Sequence, residues 1–155
     1  MAAPSPAELE RYLHAHIPLS RAMQISVLEL SAEQALLSAP LAPNVNHLGT
    51  VFGGSACALA TLAAWSLLHY RLHECVADVS VVLRRHSMSY ERPVAGIFRA
   101  CAVLAPPAPW PRFLRTLERH GKARIAVLAR LTCEQGEAGA FSGEFVALTQ
   151  AGARS

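Results

Sequence analysis

From Asn44 to Tyr70 the chain carries no formally charged side chain, and most of this span is the apolar run "SACALATLAAWSLLHY". A segment apolar on all sides belongs either in a bilayer or at the centre of a packed domain. Ser55, Thr61, Ser66 and His69 interrupt it, and it opens on polar and Gly residues. The rest of the chain reads as strands, which have no reason to accompany one lone span. The pattern therefore predicts a buried helix over about 51–72. Upstream, "SPAELERYLHAHIPL" places Ser5 as an N-cap, Pro6 at the first helical position and Glu8 three residues after the Ser. That is a capping-box pattern, and it predicts a short helix over about 5–16, ending before Pro18. "AMQISVLELS" alternates as a half-buried strand does, and "QALLSAPL" reads as its hairpin partner.

Beyond the long helix the period changes to two. "DVSVVLRRHSMSYERPV" is strand-like, with Pro93 and Gly96 turning the chain, and "IFRACAVLA" is the next strand, closed by the Pro-rich "PPAPWP". "RFLRTLERHG" predicts a short amphipathic helix stopped by Gly121. "KARIAVLARLTCEQ" and "AGAFSGEFVALTQ" form a final pair around "EQGEAG". No internal repeat, linker or low-complexity tract divides the chain, so one domain over 1–155 is expected, with residues 150–155 frayed. One antiparallel sheet wrapped around one apolar helix satisfies this order of elements. The expected class is α+β, in the hotdog arrangement.

Composition sharpens this picture. Of 155 residues, 52% are apolar and 16% charged, which excludes intrinsic disorder and implies buried surface shared with another subunit. The net charge of +3 comes from scattered Lys and Arg, so nucleic acid is not an expected partner. Cys57, Cys75, Cys101 and Cys133 are far apart and show no CxxC spacing. No metal site is expected, and each Cys reads as a small buried hydrophobe. The first residues lack the charged and apolar regions of a signal peptide, which leads us to expect a protein of the reducing cytoplasm, away from membranes.

The chemistry sits in "NHLGTVFGG", residues 46–54. Backbone N–H groups at a helix start have no intrahelical acceptor and can bind an anion or a polarised carbonyl oxygen. This loop and its helix resemble the hotdog-fold thioesterases, whose signature is similar to N-x-x-G-T-x-H-G-G. "SYERPV", "FLRTLERHGKARI" and "FSGEFVAL" narrow the resemblance to the thioesterase family of the YiiD C-terminal type, over about residues 8–149. It implies homodimers or dimers of dimers with pockets at the subunit interface. It also implies acyl-CoA or acyl-carrier thioester substrates, and no cofactor beyond the coenzyme A of the substrate.

Carried across by residue, Asn46, Gly49, Thr50, Gly53 and Gly54 match the signature. Phe52 stands where the signature has His. Thr61, nine residues on, stands where those enzymes carry Asp or Glu, and no carboxylate lies between Asn44 and His73. Gly53 and Gly54 either hold the thioester carbonyl or pack the helix start closely. Asn46 either orients water or closes an Asx turn. His47 is the nearest side chain suited to base work, and Thr61 either lines the pocket or bonds back into its helix. Asn44 and Phe52 flank the expected substrate site. His86, Ser87 and Ser89 lie on the strand that would approach a neighbouring pocket, while Arg92, Lys122 and Arg124 are candidates for the phosphates of coenzyme A. A thioester hydrolase is the leading expectation. The alternative is a non-hydrolytic acyl-CoA binding or regulatory protein, and a hotdog dehydratase ranks below both because its acid is missing.

Overall fold

A computed structural model describes residues 2–107 and 109–154; Ala108 of the Pro-rich stretch and Ser155 of the tail lie outside the described residues. Helix α1, Pro6–His16, is closed at its start by the expected capping box, in which Ser5 and Glu8 each accept from the other's backbone N–H. It buries Leu9 and Leu13. A second short helix, α2, follows at once over Pro18–Ala22. This corrects the reading of a strand from Ala22. Proline lacks an N–H and so ends one helix, but the same property suits it to the first turn of the next. The first strand, β1, starts only at Ser26 and runs to Leu30, antiparallel to β2, Ala35–Ala39.

The central helix α3 spans Gly53–His73 and buries Leu59, Leu67, Leu68 and Leu72 completely. Four buried alanines, Ala56, Ala60, Ala63 and Ala64, let the sheet approach it closely. Next come β3, Val79–Tyr90; β4, Phe98–Leu104; α4, Trp110–His120; β5, Lys122–Cys133; and β6, Gly136–Thr149. Gly121 ends α4 at φ +69°, the left-handed geometry that a Gly cap supplies without strain. The six strands form one antiparallel sheet in the order β1-β2-β4-β5-β6-β3, and α3 touches every one of them. That explains why α3 is apolar over most of its surface, with a stripe through Cys57, Thr61, Trp65 and His69 left partly exposed. Arg71, near its end, donates to the Ala32 carbonyl and lays its guanidinium 4.2 Å over the Trp110 ring, tying α3 to the β1–β2 turn and to α4.

Two details depart from the sequence reading. The tail is a short 3-10 turn over Gly152–Arg154, packed so closely on Gly121 that a Cβ on Gly152 would meet its carbonyl. Strand β3 carries a bulge between Leu83 and Arg85. A one-residue slip exchanges the two faces of a strand. Before the bulge Val79, Val81 and Leu83 pack on the core, and after it the row facing α3 is His86, Met88 and Tyr90, of which His86 and Tyr90 stay exposed. Strand β3 is also one of the sheet's two edges, β1 being the other, and among the described residues it pairs with β6 alone. Among the described residues no helix is long and apolar enough to cross a membrane.

Candidate active site

The loop before α3 is built largely by asparagine side chains. Asn44 is buried, and its Nδ2 donates to the carbonyls of Met23 (3.0 Å) and Pro40 (2.8 Å). It fastens the base of the loop to the turn after α2 and does not face the open surface. Asn46 folds the loop tip. Its Oδ1 accepts from the N–H groups of Leu48 (2.9 Å) and Thr50 (3.1 Å), and its Nδ2 donates to Thr50 Oγ1 (2.9 Å). Gly49 completes this Asx turn at φ +78°, where a side chain would be strained. His47 is exposed at the tip.

Beside this loop opens a cleft of about 350 Å³. Asn46, Thr50 and Ala56 line one wall, and Tyr90, Glu91 and Arg92 from the end of β3 line the other. Arg92 is held by donating from Nη1 to the Gln135 carbonyl at 3.0 Å. Helix α3 begins here. Its N-cap is Phe52, and no side chain caps the first turn, so its leading N–H groups point out of the helix without a side-chain acceptor. The Phe52 ring is exposed and lies over Gly54, where a Cβ would come within 2.6 Å of it. Tyr90 Oη donates to the Gly53 carbonyl at 2.9 Å. Burial, and then the nearby Cys57, hold the Tyr90 phenol above its ordinary pKa, so it stays a neutral donor at physiological pH.

Two turns deeper, Thr61 Oγ1 donates to the Cys57 carbonyl at 2.8 Å, turning its hydroxyl into the helix backbone. Cys57 itself faces β3, with Sγ 3.3 Å from His86 Nε2. The expectation that all four cysteines are buried therefore holds for Cys133 but not for the others. Cys57 and Cys101 are partly exposed, and Cys75, just past the end of α3, lies open. Sequence reasoning missed the Cys57–His86 pair because the bulge that turns His86 inward is a property of strand pairing. Ser87 and Ser89 fall on the opposite face of β3, where Ser89 Oγ donates to the Ala140 carbonyl. Glu91 was also missed. It follows β3 directly and lines the cleft, whereas the thioesterase signature carries its acid on the helix.

Lys122 and Arg124 are not gathered here. They flank a separate hollow with Arg84, nine and seven residues respectively along β5 from Leu131, the β5 residue that reaches the cleft. At about 3.3 Å per residue, that is roughly 23–30 Å away within one chain.

A single antiparallel sheet wrapped around one apolar helix, with a cleft beside the Asn/Gly loop that leads into that helix, defines a hotdog-fold protein of the thioesterase type. The chain belongs to the family described as "Putative thioesterase (yiiD_Cterm)", whose model matches residues 6–149. Solved structures agree. A Chlorobaculum tepidum protein of unknown function is 27% identical with a TM-score of 0.84, and the match covers 94% of this chain and 98% of that one. The "putative thioesterase" of Shewanella oneidensis is 28% identical with a TM-score of 0.81, covering 92% and 96%. A Pseudomonas aeruginosa protein termed "probable thioesterase" shares the fold at 24% identity and a TM-score of 0.80, covering 97% and 100%.

Proposed function

We propose that this protein hydrolyses acyl thioesters of coenzyme A or of an acyl carrier, releasing the acid and the free thiol. The observation that carries the reading is the uncapped Gly53–Gly54 start of α3 opening beside the cleft. A thioester carbonyl gains negative charge on its oxygen as it is attacked. Fixed N–H donors at a helix N-terminus stabilise that charge without having to reorganise. Glycine at 53 and 54 makes room for the Tyr90 and Phe52 rings that flank the helix start, and Asn46 acts by holding the loop in place. Arg92 is the basic residue positioned at the cleft for a phosphate of coenzyme A.

The β3 edge supports assembly of two chains. It is 12 residues long and exposes Val82 and Tyr90. A free edge of that length is a template for pairing with a second copy. Such a homodimer would set the two clefts beside their partner's strand. The four unpaired thiols suit a reducing cytoplasm.

One observation favours a second reading, a non-hydrolytic acyl-CoA binding protein: α3 carries no carboxylate to activate water. Free-thiol release from a panel of acyl-CoA esters of increasing chain length separates the two. Turnover of at least one ester is the expected result. Saturable binding across the panel with no thiol released would establish the binding protein instead.

A further inference from the structure

We infer that Cys57 is the nucleophile of this site, and that it forms an S-acyl intermediate with His86 as its base; this rests on the thioester-hydrolase reading above. The charge-free helix offers few reactive groups along its exposed face. Thr61 spends its hydroxyl on the Cys57 carbonyl. Cys57 keeps its thiol free of the backbone and points it at an imidazole, with Sγ 3.3 Å from His86 Nε2. A nucleophile within hydrogen-bond reach of a base is the geometry that covalent catalysis requires.

The placement relative to the helix start fits the same step. Cys57 lies four residues after Gly53 and three after Gly54, and residues at that spacing share one helix face, about 5–6 Å apart. A carbonyl oxygen resting on the first-turn N–H groups would thus present its carbon toward the second turn, where Sγ waits. Tyr90 closes the near side, fastened to the Gly53 carbonyl. The base is held as well. Phe141 stacks on the His86 ring with centroids 5.6 Å apart and planes at 21°. The residue paired with His86 is Gly143, where a Cβ would come within 2.8 Å of the Phe141 ring. The bulge between Leu83 and Arg85 brings His86 onto this face, so one irregularity of the strand creates the pair.

With Nδ1 carrying the ring proton, His86 Nε2 accepts the proton of Cys57 as Sγ attacks the thioester carbon. The carbonyl electron pair moves onto the oxygen and returns to expel the substrate thiolate. That thiolate takes the proton from His86 and leaves as free thiol. The acyl group is now a thioester of Cys57. Water then attacks the same carbon while His86 takes its proton, the C–Sγ bond breaks, and the proton passes to Sγ. The acid departs and the enzyme is restored, with no redox partner and no metal required by the balance.

An S-acyl enzyme can run its first step backwards, so wild-type protein should exchange isotopically labelled free coenzyme A into unlabelled acyl-CoA. Cys57→Ala should abolish that exchange and lower thiol release at least a hundred-fold, and His86→Gln should slow both. Acid-quenched wild-type protein should carry one acyl group on the peptide containing Cys57. Thiol release by Cys57→Ala within two-fold of wild type, with no exchange by either protein, would overturn the inference and leave the hydrolase reading standing. Absence of both thiol release and exchange in wild type would sink both.

Discussion

The Tyr90 hydroxyl donates to the carbonyl of Gly53, 2.9 Å away, and joins the last residue of the edge strand to the first residue of the central helix. The same ring lies 3.5 Å from where a Cβ on Gly53 would stand. Strand end, helix start and cleft wall are thus one mechanical unit. Tyr90→Phe keeps the ring and removes the bond, and because the residue is half exposed the expected loss is about 0.5–1 kcal/mol of unfolding free energy. Urea denaturation measures it, and a variant as stable as wild type would show that the bond holds nothing together.

Asn46 gives a sharper test of how the loop works. Asn46→Ala removes acceptors for the Leu48 and Thr50 N–H groups, and thiol release should fall roughly ten-fold to a thousand-fold as the loop loses its shape. Asn46→Asp keeps those acceptors and loses the Nδ2 donations to Thr50 Oγ1 and, at 3.5 Å, to the Val51 carbonyl. It should therefore retain more kcat/KM and more stability than the Ala variant. Equal damage from both would place the role of Asn46 in its NH2 group.

Anchoring of coenzyme A should divide the basic candidates. Arg92→Ala should raise KM for acyl-CoA several-fold with little change in kcat, because a phosphate contact is alike in ground and transition states. Acyl-pantetheine should not register the change. Lys122→Ala and Arg124→Ala should leave KM within two-fold if one chain supplies the anchor. A larger KM effect at either of these two would mean that the phosphates lie over the β5 hollow, reached across a subunit boundary.

His69 makes stability depend on pH. It stacks against Trp65, at 4.6 Å, and Tyr12, at 5.3 Å, with His73 at 6.1 Å. Burial first, and then the charge of His73, hold its pKa below the ordinary 6.5. The folded protein therefore resists a proton that the unfolded chain accepts. Stability should fall as pH drops through 6.5 and level off below the folded pKa. Unfolding free energies at about pH 7.5 and about pH 5.5 should differ less in His69→Phe than in wild type. Equal differences would remove His69 from the account.

Much of the fold was legible because it follows from local pattern. The charge-free run, interrupted by Ser, Thr and His and set among strands, read as a buried helix, and the alternation of "KARIAVLARLTC" reappears as the strict in–out burial of β5. What failed depended on partners. Pro18 read as a stop, although the same residue starts α2. The tail read as loose, although Gly152 fits against Gly121 across the sheet end. At the site, the loop glycines and Asn46 could be picked out from their spacing, but their hydrogen bonds could not. Cys57 read as packing because its significance depends on His86, 29 residues away and turned inward by a bulge with no sequence signature of its own.

The central claim is that the thioester carbonyl is held at the start of α3. A crystal structure with an acyl-CoA analogue whose thioester sulfur is replaced by CH2 tests it most directly. The carbonyl oxygen should lie about 2.7–3.1 Å from a backbone nitrogen of the Gly53–Gly54 turn. Its carbon should face Cys57. A carbonyl resting elsewhere in the cleft, with the first turn of α3 open to water, would contradict the account.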